Sequence, residues 1–204
     1  MTSNVTVIPQ LQPAGAGLPA FELAWLRILF RCACRVMSRN AGLKWFTFEA
    51  KKMRALAEQV SAAQATVPVL IGRVVGIEDS SRYWSVFMVF DHLRIIDEGM
   101  THIVHALSRD RLVKQEVRIQ DVKPSPQSGP ETIDQFVKAV DGYGAMLTRL
   151  PTLGRRVHHL HPWFGPMTAH DWHCLAAIHH WVHRRQLERI VEQLYGQGRT
   201  EGYA

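Results

Sequence analysis

Apolar residues recur at helical spacing in five stretches of the chain, separated by segments rich in Pro, Gly and Ser. The first, "LPAFELAWLRILFRCACRVMSR" (18–39), sets Arg27, Arg31, Arg35 and Arg39 four apart, a basic stripe beside an apolar face. The second, "FTFEAKKMRALAEQVSAAQ" (46–64), is amphipathic with Glu and Lys on its outer side. The third, 80–110, opens on serines suited to capping and runs unbroken by Pro. The fourth, 131–150, ends just before Pro151. The fifth, 168–196, starts at Thr168 with Asp171 where a capping box prefers an acid. The segment between the third and fourth, "RLVKQEVRIQDVKPSPQSGP", alternates too loosely for a strand and reads as an extended crossover. No internal repeat is evident. The pattern predicts an all-α protein, a four-helix bundle preceded by one extra helical arm. Residues 1–17 are expected to be a poorly ordered arm, and 18–204 a single helical domain with its core bundle over about 46–197.

Composition narrows this picture little. A chain of 204 residues, 47% apolar and 21% charged, suits one globular domain with a proper core. Arg27, Arg31 and Arg35 interrupt the longest apolar stretch, so no bilayer-spanning helix is expected. The opening "MTSNVTVIPQLQPAGAG" has no basic n-region and does not read as a secretory signal. Cys32, Cys34 and Cys174 are odd in number and not at CxxC spacing, which argues against a disulfide framework and for a reducing cytoplasm. The net charge of +6 gives a general attraction to anions. No zinc finger, RNA-recognition signature or glycine-rich phosphate loop accompanies it, so no specific nucleic acid is expected.

The chemistry concentrates in "HDWHCLAAIHHWVHRRQ" (170–186), which holds five of the eleven histidines. Positions four apart share one helix face, so His179 and His183 point the same way while His173 and His180 do not join them. HxxxH is a standard way for one helix to offer two imidazoles to a metal, and it also arises on a solvated polar face. On the motif alone both readings stand. A third ligand must come from another helix, and the third stretch offers His92, His102 and His105. Measured from the helix midpoints, His92 lies at the depth of His179 and His183 whichever way the helices run. His102 and His105 lie about 10 to 15 Å further along. Depth selects His92, the alternative for it being a core histidine bonded to a neighbouring carbonyl. Three neutral imidazoles would leave a divalent ion an open position, as in catalytic zinc or nickel sites. Gln186 stands where it could support the site or line a pocket, or be an ordinary surface amide.

Two segments, "SSRYWSVFMVFDHL" and "HPWFGPMTAHDWHCLAAIHHWVHRRQLERI", resemble the DinB/YfiT-like superfamily. Within it the match is to a branch marked by an HPxFGxxTxxxW…HxxxHxRQ pattern, and the likeness spans roughly residues 45–195. The resemblance implies a four-helix bundle in which a histidine of the second core helix and an HxxxH of the last bind a divalent metal, usually zinc or nickel. Carried over to this sequence, the ligands are His92, His179 and His183. Arg185 departs from the small residue common in the superfamily's "HHRGQ", a change that leaves the three ligand positions intact. "HPWFG" (161–165) is expected to turn into the last helix with Trp163 and Phe164 packing over the bundle end, Trp163 being a candidate pocket wall.

The resemblance further implies a thiol S-transferase or isomerase using a small thiol such as mycothiol, bacillithiol or glutathione. An open metal site that activates a thiol or water fits either a transferase or a hydrolase acting on a small-molecule substrate. No Ser/His/Asp arrangement is present, and no glutamate follows His179 as an HExxH protease requires. No catalytic base is assigned; Asp91 adjoins His92 as a candidate pocket residue but points about 100° around the helix from it. The competing expectation is a non-catalytic helical module that meets a partner or an anionic membrane surface through the basic first helix. Docking of that helix on its own bundle or in a homodimer would equally cover its apolar face.

Overall fold

The computed structural model describes residues 9–200. Six helices follow in chain order: α1 (Ala20–Val36), α2 (Arg39–Ala57), a single turn α3 (Ala62–Ala65), α4 (Val86–Leu107), α5 (Glu131–Arg149) and α6 (Ala169–Thr200). Two small antiparallel pairs accompany them. Strand β1 (Val69–Leu70) pairs with β2 (Tyr83–Trp84), and β3 (His159–His161) pairs with β4 (Gly165–Met167).

The last two helices start where their caps and prolines predict. Thr168 and Asp171 exchange side-chain to backbone hydrogen bonds at the head of α6, at 2.9 and 3.2 Å. The first two differ from expectation. Met37 is extended and Ser38 caps a new helix, accepting from the Ala41 amide at 3.2 Å, so α2 begins at Arg39 rather than 46. The third predicted helix is also shorter at its head. Ser85 is the cap that closes on Met88 N–H, and residues 79–84 form a 3-10 turn and β2 instead. The crossover 111–130 carries one 3-10 turn, Ile119–Val122. Of the segment expected to be a poorly ordered arm, residues 1–8 lie outside the described residues. Beyond them, the amides of Gln12, Gly15 and Gly17 donate to the carboxylates of Asp79 and Glu78.

Helices α2, α4, α5 and α6 close the four-helix bundle, α2 and α4 each packing on both α5 and α6. Contacts rise together along α2 and α6, from Arg39–His173 to Tyr195–Gln59, so these helices are parallel. Phe87–Thr132 and Phe90–Phe136 make α4 and α5 parallel. Phe46 meets Tyr143 while Arg39 reaches Leu147 O, so the two pairs oppose each other. The fully buried side chains Phe46, Met53, Phe90, Phe136, Tyr143, Leu147, Leu187 and Ile190 fill the centre. Helix α1 lies outside, packed on α6. Its inner face buries Phe30 and Cys34, and its outer face exposes Phe21, Trp25, Ile28, Leu29 and Val36. Among the described residues no helix is long and apolar enough to cross a membrane.

One close approach governs how α2 meets α6. At Gly42 an added Cβ would lie 2.5 Å from His173 Nε2, whose ring is held by the Tyr143 hydroxyl at 2.8 Å and the Arg39 carbonyl at 2.9 Å. In an ordinary helix interior Gly→Ala stabilises by up to about 1 kcal/mol. Here Gly42→Ala is expected to destabilise by about 1 to 3 kcal/mol, because the pinned ring cannot move aside. Urea denaturation checks this; a more stable variant would contradict the packing.

Candidate metal centre

The site forms where α4 and α6 cross. His92 comes from α4, and His179 and His183 come from successive turns of α6. Ring centroids lie 5.2 Å apart for His92–His179, 4.6 Å for His92–His183 and 4.4 Å for His179–His183. One nitrogen from each ring lies within 4.8 Å of the others, a cluster that could hold a metal ion. Ligands at about 2.1 Å in tetrahedral geometry would stand about 3.4 Å apart.

The surroundings hold two of these rings in one tautomer. His92 Nδ1 lies 2.6 Å from the Val122 carbonyl, so it carries the proton and leaves Nε2 with its lone pair. His183 Nδ1 meets Gln186 Oε1 at 2.6 Å, and the Gln186 amide in turn donates to Ser81 O at 2.7 Å. The tethered amide can only accept from His183, so Nε2 is again free. His179 Nδ1 is buried without a hydrogen-bond partner among the described residues, so nothing in the chain claims this ring. Trp84 packs on the cluster, tilted against His92 at 5.1 Å and stacked with His183 at 6.2 Å.

Burial keeps all three rings uncharged. It pushes His92 down to about 4, helped by the nearby Lys123 cation and opposed by the Val122 carbonyl. Burial, then the neighbouring imidazoles, drives His179 and His183 well below their usual range. Neutral imidazoles are the ligating form, so the site is already in the state that a divalent ion needs. The donor set of three nitrogens without thiolate or carboxylate suits zinc or nickel and leaves coordination positions open.

The other histidines of α6 are held by the protein. His170 Nε2 meets Cys34 O at 2.9 Å; His173 is held as described above. His180 bridges Phe46 O at 3.2 Å and both Asp97 oxygens at 3.0 Å. Burial raises the Asp97 carboxyl, with His180 opposing the shift.

A cavity of about 390 Å³ opens beside the cluster, and all three rings line it. Trp163 lines it as well, its carbonyl accepting from Arg27 Nε at 2.6 Å. Gln186 lies behind His183 as its support. Asp91 is not brought to the site: its carboxylate binds Arg94 at 2.9 Å, Ser125 N at 2.9 Å and Ser128 Oγ at 3.1 Å, anchoring the connector to α5. Arg185 rests over the Trp181 ring at 5.0 Å and is not part of the cavity wall. Four contributors carry no helical period and were missed: Trp84, the Val122 carbonyl, Lys123 and His161. Lys123 Nζ donates to Glu78, Ser80 and Ser81 at 2.8 to 3.1 Å. His161 accepts the Trp163 amide at Nδ1 (3.1 Å), and burial pushes it down to about 3. The only signal for His161 was its place in "HPWFG".

A family model described as the DinB superfamily matches residues 45–187. The crystal structure of TT2238, a four-helix bundle protein, is similar with a TM-score of 0.52 and 18% sequence identity, covering 74% of this chain and 98% of that one. That likeness concerns the fold. No curated protein matches the chain.

The buried neutral histidines set a pH dependence. His92, His161, His173, His179 and His183 all titrate below the ordinary value near 6.5 in the folded protein. The unfolded chain therefore binds protons first as pH falls, and the metal-free fold loses stability below about pH 6.5, each such histidine adding at most about 1.4 kcal/mol per pH unit. His170, held up by Cys174, works in the opposite direction. Urea midpoints between pH 7.5 and 4.5 should fall continuously, and a flat profile would show that these rings are charged or exposed.

Proposed function

The chain belongs to the DinB superfamily, and on that premise we propose that it is a metal-dependent enzyme whose His92, His179 and His183 hold one divalent ion with an open position. The observation that carries this reading is the convergence of three neutral imidazoles, His92 and His183 buried and His179 part-buried, two of them with their proton placed on Nδ1 by Val122 O and Gln186. Zinc or nickel held there would lower the pKa of a bound thiol or water and supply a nucleophile at neutral pH. The chain's own part is orientation and exclusion of water. Gln186 and Val122 keep the ring planes fixed, Trp84 shields the cluster, and the cavity wall limits what reaches the open side. The reactions that follow are thiol S-transfer, with a low-molecular-weight thiol as co-substrate, or hydrolysis.

Metal analysis of protein purified without nickel resin tests the assignment. Wild type is expected to carry about one ion per chain, His179→Ala and His183→Ala to carry none, and His173→Ala to match wild type in content. Metal retained in His179→Ala and lost in His173→Ala would overturn the ligand set.

One observation favours a second reading, a module that meets an anionic membrane surface through α1. The outer face of α1 exposes Phe21 (73%), Trp25 (58%) and Val36 (85%), with Arg27, Arg31 and Arg35 along one flank. Flotation with phosphatidylglycerol vesicles is then expected to carry the protein, and phosphatidylcholine vesicles to leave it behind. A chain that floats with neither and sediments as a dimer would contradict this reading.

A further inference from the structure

The cavity extends well beyond the histidine cluster. Along α4 its wall runs from His92 to Ile103, and along antiparallel α6 from His183 back to Trp172. About eleven residues of helix on each side span roughly 16 Å. The histidines therefore occupy one end of an elongated chamber. Between the ends the wall is mostly aliphatic, with Ile96, Met100 and Ile103 from α4 and Leu175, Ile178 and Val182 from α6, while the polar His102 and Gln115 on its rim are exposed to solvent. The two cations of the described wall are already engaged: Lys123 with Glu78 at 3.1 Å and Arg118 with Asp121 at 2.8 Å. Glu116, the wall's other acid besides these partners, faces solvent.

We propose that the chamber takes a neutral substrate with an apolar, chain-like body, lying along α4 and α6 with its reacting end at the three histidines. A multiply charged molecule would give up its hydration here without gaining a partner. An apolar chain gains by leaving water, methylene by methylene. The orientation rests on the metal-site reading; occupation of the chamber does not. A hydrophilic thiol, if one serves, is confined to the histidine end.

Straight-chain primary alcohols from butanol to decanol, titrated into the metal-free full-length protein, test this directly. Trp163 and Trp172 in the wall give a fluorescence signal, and calorimetry gives the dissociation constant. Kd is expected to fall about fourfold per methylene, the equivalent of about 0.8 kcal/mol for each buried CH2, until the chamber is full. Two variants keep the test specific. Gly99 is part of the wall and an added Cβ there meets nothing within 4 Å, so Gly99→Leu should shorten the chain length that binds best. Ile96→Asn should weaken the whole series at least tenfold. A Kd independent of chain length, tighter binding of glutathione than of octanol, or both variants behaving as wild type would overturn the proposal. Alcohols that bind a protein which never loads metal would overturn only the orientation. A metal-loaded protein that ignores the alcohols would overturn only the substrate class.

Discussion

A buried imidazole must have its ring nitrogens accounted for, and helix α6 buries several of them at once. That constraint organises the molecule. His170 takes the Cys34 carbonyl of α1, and His173 takes the Arg39 carbonyl of α2 and the Tyr143 hydroxyl of α5. His180 takes the Phe46 carbonyl of α2 and the Asp97 carboxylate of α4. Each of these bonds ties α6 to another helix, and an unmade one would leave a desolvated polar atom in the core. The histidines that look like a metal-binding excess in the sequence are mostly fasteners.

What remains after those bonds are made is the site. His179 and His183 have no acceptor from the other helices of the bundle; they face His92 across the α4–α6 contact, where the three rings converge. Gln186 serves His183 from one turn further along α6, and the crossover serves His92 through Val122. The same burial that makes the fasteners costly to break keeps the converging rings neutral, so structural and chemical demands pull in one direction. The Lys123 cation, held in place by Glu78 and two serine hydroxyls, adds to this by disfavouring a charged His92 or His183.

Helices bounded by strong local signals were legible in the sequence. Pro130 and Pro151 bracket α5, and Thr168 with Asp171 marks the head of α6. The α1–α2 boundary was not, because the four-residue arginine spacing runs through Arg39 across the break that Ser38 makes. The spacing was a coincidence of two helices: Arg39 reaches back to the Leu147 and Pro151 carbonyls from the first turn of α2. Depth along a helix is arithmetic, so His92 could be placed beside His179 and His183 from residue numbers alone. Angle is arithmetic too and turns Asp91 about 100° from His92, yet adjacency kept it a candidate pocket residue; the structure spends that carboxylate on the connector instead. Trp84, Val122 and Lys123 arrive from a short strand and a loop, where no period links sequence position to place. The aliphatic length of the cavity was likewise hidden, because its wall uses residues that also read as ordinary core.

The proposed chemistry requires one ion shared by three imidazoles from two helices. X-ray absorption spectroscopy of the zinc-loaded protein measures that shell directly. Three imidazole nitrogens at about 2.0 to 2.1 Å, completed by a light oxygen or nitrogen ligand and no sulfur, is the predicted result. A sulfur shell near 2.3 Å, or fewer than three imidazoles, would place the ion elsewhere and contradict it.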